Sequence, residues 1–283
     1  MTEPSPIPFL SSRETPEACR WHLVGLPYDE ASSFRRGSQF GPSAIRRASD
    51  SIESYSPYLE RDLEDLRFYD AGDLELTGKD PEEAIAVIRS FYAEKYRHNI
   101  CLMGLGGDHT VTVGALQGLV EAGLRPRVLH LDAHMDVRGE YTGGIYSHAC
   151  VARRLVELLG ADHLRLWGIR SGERQEFEWA RSEGILLGRD ASSLKKACRS
   201  IADEPVYLTL DLDVFDPAEL PGVGNPEPGG MRFPEFLDAL EEISRLDVVG
   251  ADVVELAPVW DLSGRSSIVA AEVIRELLLT VIK

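Results

Sequence analysis

From Trp21 onward, short apolar runs alternate with longer segments whose apolar residues recur at helical spacing. The runs Trp21–Leu26, Leu66–Asp70, Asn99–Leu105, Arg127–Leu131, His163–Ile169, Gly184–Leu187, Val206–Leu212 and Val248–Glu255 predict strands. Between them, Pro42–Ala48, Pro81–Tyr96, Thr110–Ala122, Ser147–Leu159, Glu173–Ser182, Ser192–Ala202, Pro234–Ser244 and Ser266–Ile282 predict helices. Many of the strand runs are apolar throughout rather than alternating, the pattern of strands covered on both faces. The expected architecture is a three-layer α/β/α fold around a mostly parallel sheet of about eight strands. No repeat, low-complexity tract or Pro/Gly/Ser-rich linker interrupts the alternation, which predicts a single domain over residues 1–283. Residues 1–18 are polar and proline-containing and read as an N-terminal extension, loose or packed on a partner.

Composition narrows the function. With 43% hydrophobic residues the chain can bury a sizeable core. Its 47 acids against 30 bases give a net charge of -17, which argues against nucleic acid, whose phosphates demand a basic surface. The balance suits a cationic substrate as well as plain solubility. No apolar stretch reaches the roughly 18–20 residues of a membrane span, and the first residues lack the regions of a signal peptide, so a cytoplasmic location is expected. Cys19, Cys101, Cys150 and Cys198 show no paired spacing and read as reduced core thiols.

In open parallel sheets ligands bind beyond the carboxyl ends of the strands. Four of the predicted strands end in chemistry: Gly106-Gly107-Asp108-His109-Thr110, Asp132-Ala133-His134-Met135-Asp136, Asp211-Leu212-Asp213 running on to Asp216, and Glu255. In an extended strand, residues two apart share a face, so Asp132, His134 and Asp136 would point one way, as would Asp211 and Asp213. Carboxylates gathered after buried strands repel one another and lose hydration unless a strong positive charge sits among them. The glycines before Asp108 resemble a phosphate-cradling turn, yet the Gly-Lys-Ser/Thr ending of a P-loop is missing. They serve better to present His109, with Asp108 as a helix cap or orienting group. Two imidazoles and four carboxylates are too many for one ordinary site. If Asp132 and Asp211 bridge, one ion takes His109, Asp132, Asp136 and Asp211, and the other takes Asp132, His134, Asp211 and Asp213. Four carboxylates balance two divalent ions, and oxygen-rich ligation without thiolate favours Mn²⁺ or Mg²⁺, the imidazoles tilting toward Mn²⁺. Two such ions hold a water between them and lower its pKa, which predicts hydrolysis at carbon or phosphorus. His130 lies a level deeper and reads as packed; His22, His98 and His163 have no acidic constellation.

Residues 106–110, 132–136 and 211–217, with the Pro-Gly-Val-Gly-Asn-Pro-Glu-Pro-Gly-Gly run at 221–230, resemble the signature blocks of the ureohydrolases, the arginase and agmatinase family. The resemblance extends to residues 32–46 and 56–65 and covers nearly the whole chain. It implies an arginase-like fold, two Mn²⁺ per subunit on His109, Asp132, His134, Asp136, Asp211 and Asp213, and hydrolysis of a guanidinium to urea and an amine. Asp136 would orient the attacking hydroxide and pass its proton to the leaving amine; Glu255 would grip the guanidinium and His148 would shuttle protons. Trimers or hexamers are implied as well. Arginases read the substrate's α-carboxylate with Asn and Ser, and its α-amine with Asp, where this chain has Val137-Arg138-Gly139-Glu140 and Gly168-Ile169-Arg170-Ser171-Gly172-Glu173. Both readers are missing, which favours agmatine over arginine. Arg138 opens a carboxylate-bearing alternative such as guanidinobutyrate, and aminopropylagmatine is a further one. More remote are a two-metal phosphoesterase, which would find Glu255 repulsive, and a non-catalytic metal-binding relative, which would have lost a ligand.

Overall fold

The computed structural model describes the backbone of residues 2–3 and the whole of residues 7–283. Eight strands form the main sheet: β1 (Thr2–Glu3), β2 (Trp21–Leu26), β5 (Phe68–Leu74), β6 (Cys101–Gly106), β7 (Arg127–Leu131), β8 (Leu164–Trp167), β9 (Pro205–Asp211) and β10 (Asp247–Val254). Their order is β1-β5-β2-β6-β10-β9-β7-β8, parallel except for the β1–β5 pair. A separate short ribbon pairs β3 (Tyr55–Ser56) with β4 (Arg61–Asp62).

Eight helices cover the sheet. α1 (Gly41–Ser49), α6 (Ala191–Ile201), α7 (Phe233–Ile243) and α8 (Arg265–Val281) pack on one face around Ile45, Leu194, Phe236 and Ile274. α2 (Pro81–Arg97), α3 (Val111–Glu121), α4 (Val151–Leu159) and α5 (Arg174–Ser182) cover the other around Ile88, Leu116, Leu155 and Ala180. The strands feed both cores because successive side chains point to opposite faces: Leu23 and Leu208 join the first cluster, Val24 and Tyr207 the second. Helix starts follow their chemistry. Asp80 accepts from Glu83 N at 2.9 Å ahead of Pro81, and Asp190 accepts from Ser193 N at 2.9 Å.

The eighth strand differs from the expected one. Ile185 and Leu187 each make one backbone hydrogen bond to Leu166, a single parallel bridge, after which the chain bends at Arg189 and Asp190 into α6. The eighth strand of the sheet is instead Thr2–Glu3, paired antiparallel with β5 at the opposite edge and too short to show any periodicity. Of the expected N-terminal extension, residues 1 and 4–6 lie outside the described residues. Phe9 is buried and its N–H donates to Asp70 Oδ2 at 2.8 Å, while the Arg13 guanidinium donates to Leu66 O and Glu64 O. All four cysteines are buried and unpaired. Among the described residues no helix is long and apolar enough to cross a membrane.

Strands β6, β10, β9 and β7 are neighbours at the middle of the sheet, in register at Leu105–Val253, Val254–Asp211 and Leu210–Leu131. Their carboxyl ends therefore come out side by side.

Candidate metal centre and substrate cavity

Each acidic or imidazole group reaches the sheet edge by a tight local turn. A side chain at Gly107 would collide with the backbone of Tyr28, whose carbonyl accepts Asp108 N at 2.7 Å. Asp108 then accepts from Thr110 N at 3.0 Å and from Ala31 N at 3.1 Å, tying the start of α3 to the loop after β2. The continuous ladder of β7 ends at Leu131, with only an isolated His134–Ser171 bridge beyond it, and residues 132–136 converge through turns rather than along one strand face. Asp132 Oδ1 accepts His134 N at 2.6 Å, Asp213 Oδ1 accepts Ala133 N at 3.0 Å, and Asp211 Oδ1 accepts Asp213 N at 2.7 Å. Asp136 and Glu255 adopt φ of 51° and 69°, left-handed conformations that cost strain outside glycine and cluster at functional sites.

Two groups of donor atoms result. His109 Nδ1 lies 3.2 Å from Asp132 Oδ2, 3.5 Å from Asp136 Oδ2 and 3.2 Å from Asp211 Oδ2, yet this buried nitrogen has no hydrogen-bond partner among the described residues. His134 Nδ1 lies 2.7 Å from Asp213 Oδ2 and 3.8 Å from Asp132 Oδ1. Asp132 thus offers one oxygen to each group. His130 stays behind the cluster: it is fully buried, its Nε2 contacts Asp132 Oδ2 at 2.8 Å, and its ring lies 4.6 Å from that of His109. Burial lowers its pKa and keeps it neutral. Asp216 turns away and accepts from Ala218, Gly229 and Gly230 N–H groups.

The electrostatics are those of a cluster short of positive charge. Burial, then the charge of neighbouring Asp132, pushes the Asp136 carboxyl well above its usual range; burial and Asp213 do the same to Asp211. Burial opposes charge on His109, but the facing carboxylates of Asp132 and Asp211 raise it well above 6.5. Burial and the charge of Asp108 lift Glu255 to about 8. These shifts in the metal-free chain are what a pair of divalent cations would reverse, since the donor set is four carboxylates and two imidazole nitrogens with their lone pairs converging.

A cavity of about 170 Å³ opens over this edge, lined by His134, Asp136, Arg138, Tyr141, His148 and Glu176 among others. Glu255 stands beside the cluster with Oε1 accepting His109 N at 2.8 Å. His148 opens the short 3-10 turn before α4; its Nδ1 meets Ala31 O at 2.8 Å, so that nitrogen carries the hydrogen and Nε2 accepts from Ser33 Oγ at 3.0 Å. Burial lowers its pKa. Arg138 does not extend freely into the cavity. Its guanidinium pairs with Glu173 at 3.0 Å and Glu176 at 3.4 Å and lies over the Tyr141 ring at 4.6 Å.

Residues 19–280 match the family model described as the arginase family. The chain belongs to the arginase family. It is 39% identical over 279 residues to an agmatinase of Bacillus subtilis (strain 168), covering 97% of this chain and 96% of that one. It is 37% identical over 253 residues to an N(1)-aminopropylagmatine ureohydrolase of Thermococcus kodakarensis, covering 86% and 84%. The structure of the agmatine ureohydrolase of Thermoplasma volcanium superposes with a TM-score of 0.86 at 32% identity, over 98% of this chain and 94% of that one. As a member of this family the chain is a hydrolase acting on guanidino groups.

Several residues around the ureohydrolase site escaped the sequence reading. Ser33 and Glu176 lie in polar loop and helix surfaces where nothing marks them. Thr209 and Asp252 did carry a signal: each is a polar residue inside an otherwise apolar central strand, and both are fully buried.

Proposed function

We propose that this ureohydrolase cleaves the guanidinium of agmatine to putrescine and urea, with two Mn²⁺ per subunit. The observation that carries the substrate assignment is the state of Arg138. A substrate carboxylate needs a free cation at the cavity wall, and this one is already paired with two carboxylates and stacked on an aromatic ring. No second Lys or Arg lies among the described residues of the wall, and a substrate with an ammonium at its far end makes no demand for one. The names of the similar proteins point the same way.

In this reading His109, Asp132, Asp136 and Asp211 would hold one ion and Asp132, His134, Asp211 and Asp213 the other; the converging donors and the unpartnered His109 Nδ1 support it. When bound, the ions supply an activated water and stabilise charge that develops at the guanidinium carbon. Glu255 Oε2, the oxygen not tied to His109, accepts the guanidinium N–H groups in a charge-assisted bond. Asp136 takes the proton of the attacking water and delivers it to the leaving amine. Neutral His148, fixed in one tautomer by Ala31 O, exchanges protons between the cavity and solvent through Nε2. The reading includes a single domain, a trimeric or hexameric assembly, and a cytoplasmic location; four buried free thiols fit a reducing compartment.

Urea release from agmatine, arginine, aminopropylagmatine and guanidinobutyrate, measured in parallel with Mn²⁺ added, tests it. Agmatine should give the highest kcat/KM by at least about tenfold, about 1.4 kcal/mol of discrimination. A higher value for guanidinobutyrate or arginine would overturn the assignment.

A further inference from the structure

On the inner side of the cluster, away from the cavity, lies a carboxylate to which the reaction gives no task. Asp252 of β10 is fully buried and receives three hydroxyl groups. Tyr207 Oη donates to its Oδ2 at 2.7 Å, Thr112 Oγ1 to the same oxygen at 2.9 Å, and Thr209 Oγ1 to Oδ1 at 2.6 Å. Thr209 and Asp252 are direct partners in the β9–β10 register, so the contact is built into the sheet. Thr209 Oγ1 also lies 2.9 Å from His109 Nε2.

Counting hydrogens decides how this chain of contacts runs. A hydroxyl has one hydrogen, and that of Thr209 goes to Asp252; toward His109 it can only accept. The hydrogen of the His109 ring must then sit on Nε2. Nδ1 is left with a lone pair, and Nδ1 is the atom that faces Asp132, Asp136 and Asp211 without a hydrogen-bond partner. We propose that Thr209 and Asp252 are positioning residues that fix the tautomer and ring orientation of His109, and through it the affinity of the ion position it serves. The Thr112 and Tyr207 hydroxyls hold Asp252 without bonding the His109 ring; Thr112 meets His109 only through its backbone N–H, which donates to His109 O at 3.2 Å, and its Oγ1 lies 3.4 Å from Thr209 Oγ1. The proposal rests on the two-ion reading above, and removal of such an outer partner is expected to weaken metal binding about 10- to 100-fold.

The test is Mn²⁺ binding by equilibrium dialysis, with electron paramagnetic resonance at each loading, on the wild type and on Thr209→Val, Thr209→Ser and Thr112→Val. Wild type and Thr209→Ser should take up two ions per chain and show the spectrum of a spin-coupled pair. Thr209→Val should bind one ion about 10- to 100-fold more weakly, so that at intermediate Mn²⁺ it carries a single ion with an isolated six-line spectrum. Thr112→Val, which removes a different hydroxyl from Asp252, should behave as wild type. Wild-type affinity and coupled spectrum in Thr209→Val would overturn the proposal, as would equal losses in Thr112→Val and Thr209→Val. Should Thr209→Val not fold, Thr209→Ala takes its place with the same expectation. A wild type that saturates at one ion refutes the two-ion reading instead, and the proposal is then judged on whether Thr209→Val weakens that ion.

Discussion

The backbone N–H of His109 donates to Glu255 Oε1 at 2.8 Å, fastening the start of α3 to the end of β10. One carboxylate oxygen holds this contact, and the other is the one proposed to take the guanidinium. Glu255→Gln can keep the first contact through its amide oxygen while turning an N–H₂ toward an incoming guanidinium. Its Mn²⁺ content should stay at the wild-type level while kcat/KM for agmatine falls at least about 100-fold, about 3 kcal/mol for a lost charge-assisted pair. Elemental analysis and urea assays on the same preparation check this, and unchanged turnover would remove the role given to Glu255.

Gly224 leaves room at the free oxygen. A Cβ there would stand 3.3 Å from Glu255 Oε2 and 3.2 Å from Arg35 O, tight enough that one of them must yield. Gly224→Ala should raise KM for agmatine about five- to thirtyfold, from roughly 1–2 kcal/mol of overpacking, without loss of metal. Steady-state kinetics separate KM from kcat; an unmoved KM would place the guanidinium elsewhere.

Asp132 offers one oxygen to each group of donors, and in the proposed scheme Asp211 also bridges. Asp132→Ala or Asp211→Ala should abolish the binding of both ions and the activity. Asp213→Ala should retain one ion. Full metal content in either bridging variant refutes the scheme.

The metal-free chain should lose thermal stability as pH rises from 6.5 to 9. Burial raises the carboxyls of Asp136 and Asp211, and lifts Asp108 to about 7 and Glu255 to about 8. The folded chain then holds protons that the unfolded chain has already released, so stability declines as they leave. The imidazoles run the same way: burial opposes their charge, but Asp132 and Asp211 raise His109, and Asp213 raises His134 to about 11. Their contribution is complete below about 6.5 and fades as pH climbs toward those folded values. Asp132, held well below its usual range against the burial penalty by His109 and His130, adds nothing variable in this interval. Added Mn²⁺ replaces the protons, so the Tm gain on metal addition should widen with pH. Melting curves with chelator and with Mn²⁺ measure it; a metal-free Tm that rises between pH 6.5 and 9 contradicts the reading.

Arg138→Ala should leave agmatine kcat/KM within about threefold of wild type, since a half-exposed ion pair contributes under about 1 kcal/mol. Selective loss of guanidinobutyrate turnover in this variant would make Arg138 a carboxylate reader after all.

The central strands were legible because burial on both faces leaves the interiors of β6, β9 and β10 apolar except at Thr209 and Asp252, and their ends carry the charged residues. The route by which those residues meet was not. Asp132, His134 and Asp136 suggest a shared pleat, whereas side-chain to backbone turns and a left-handed Asp136 bring them together beyond the end of β7, where only an isolated His134–Ser171 bridge remains. Such turns leave no periodic trace. Gly184–Leu187 shows the converse: a strand-like run gains a strand's full pairing only where a neighbour continues beside it, and here the chain bends away at Arg189 and Asp190. The Arg138 clamp was invisible for a different reason, since its partners lie 35 and 38 positions later on a surface helix start.

Strand β10 occupies the gap between β6 and β9, with β1, β5 and β2 beyond one and β7 and β8 beyond the other. His109 belongs to the first half of the sheet; His134 and the four aspartates belong to the second. Until residues 247–254 have been synthesised and threaded between the halves, the first imidazole and its three carboxylates have no framework to hold them in reach. Such long-range closure is slow, because a large loop entropy precedes any reward. Metal uptake should consequently come last during biogenesis, and a ribosome-stalled chain ending before Asp247 should emerge without bound manganese.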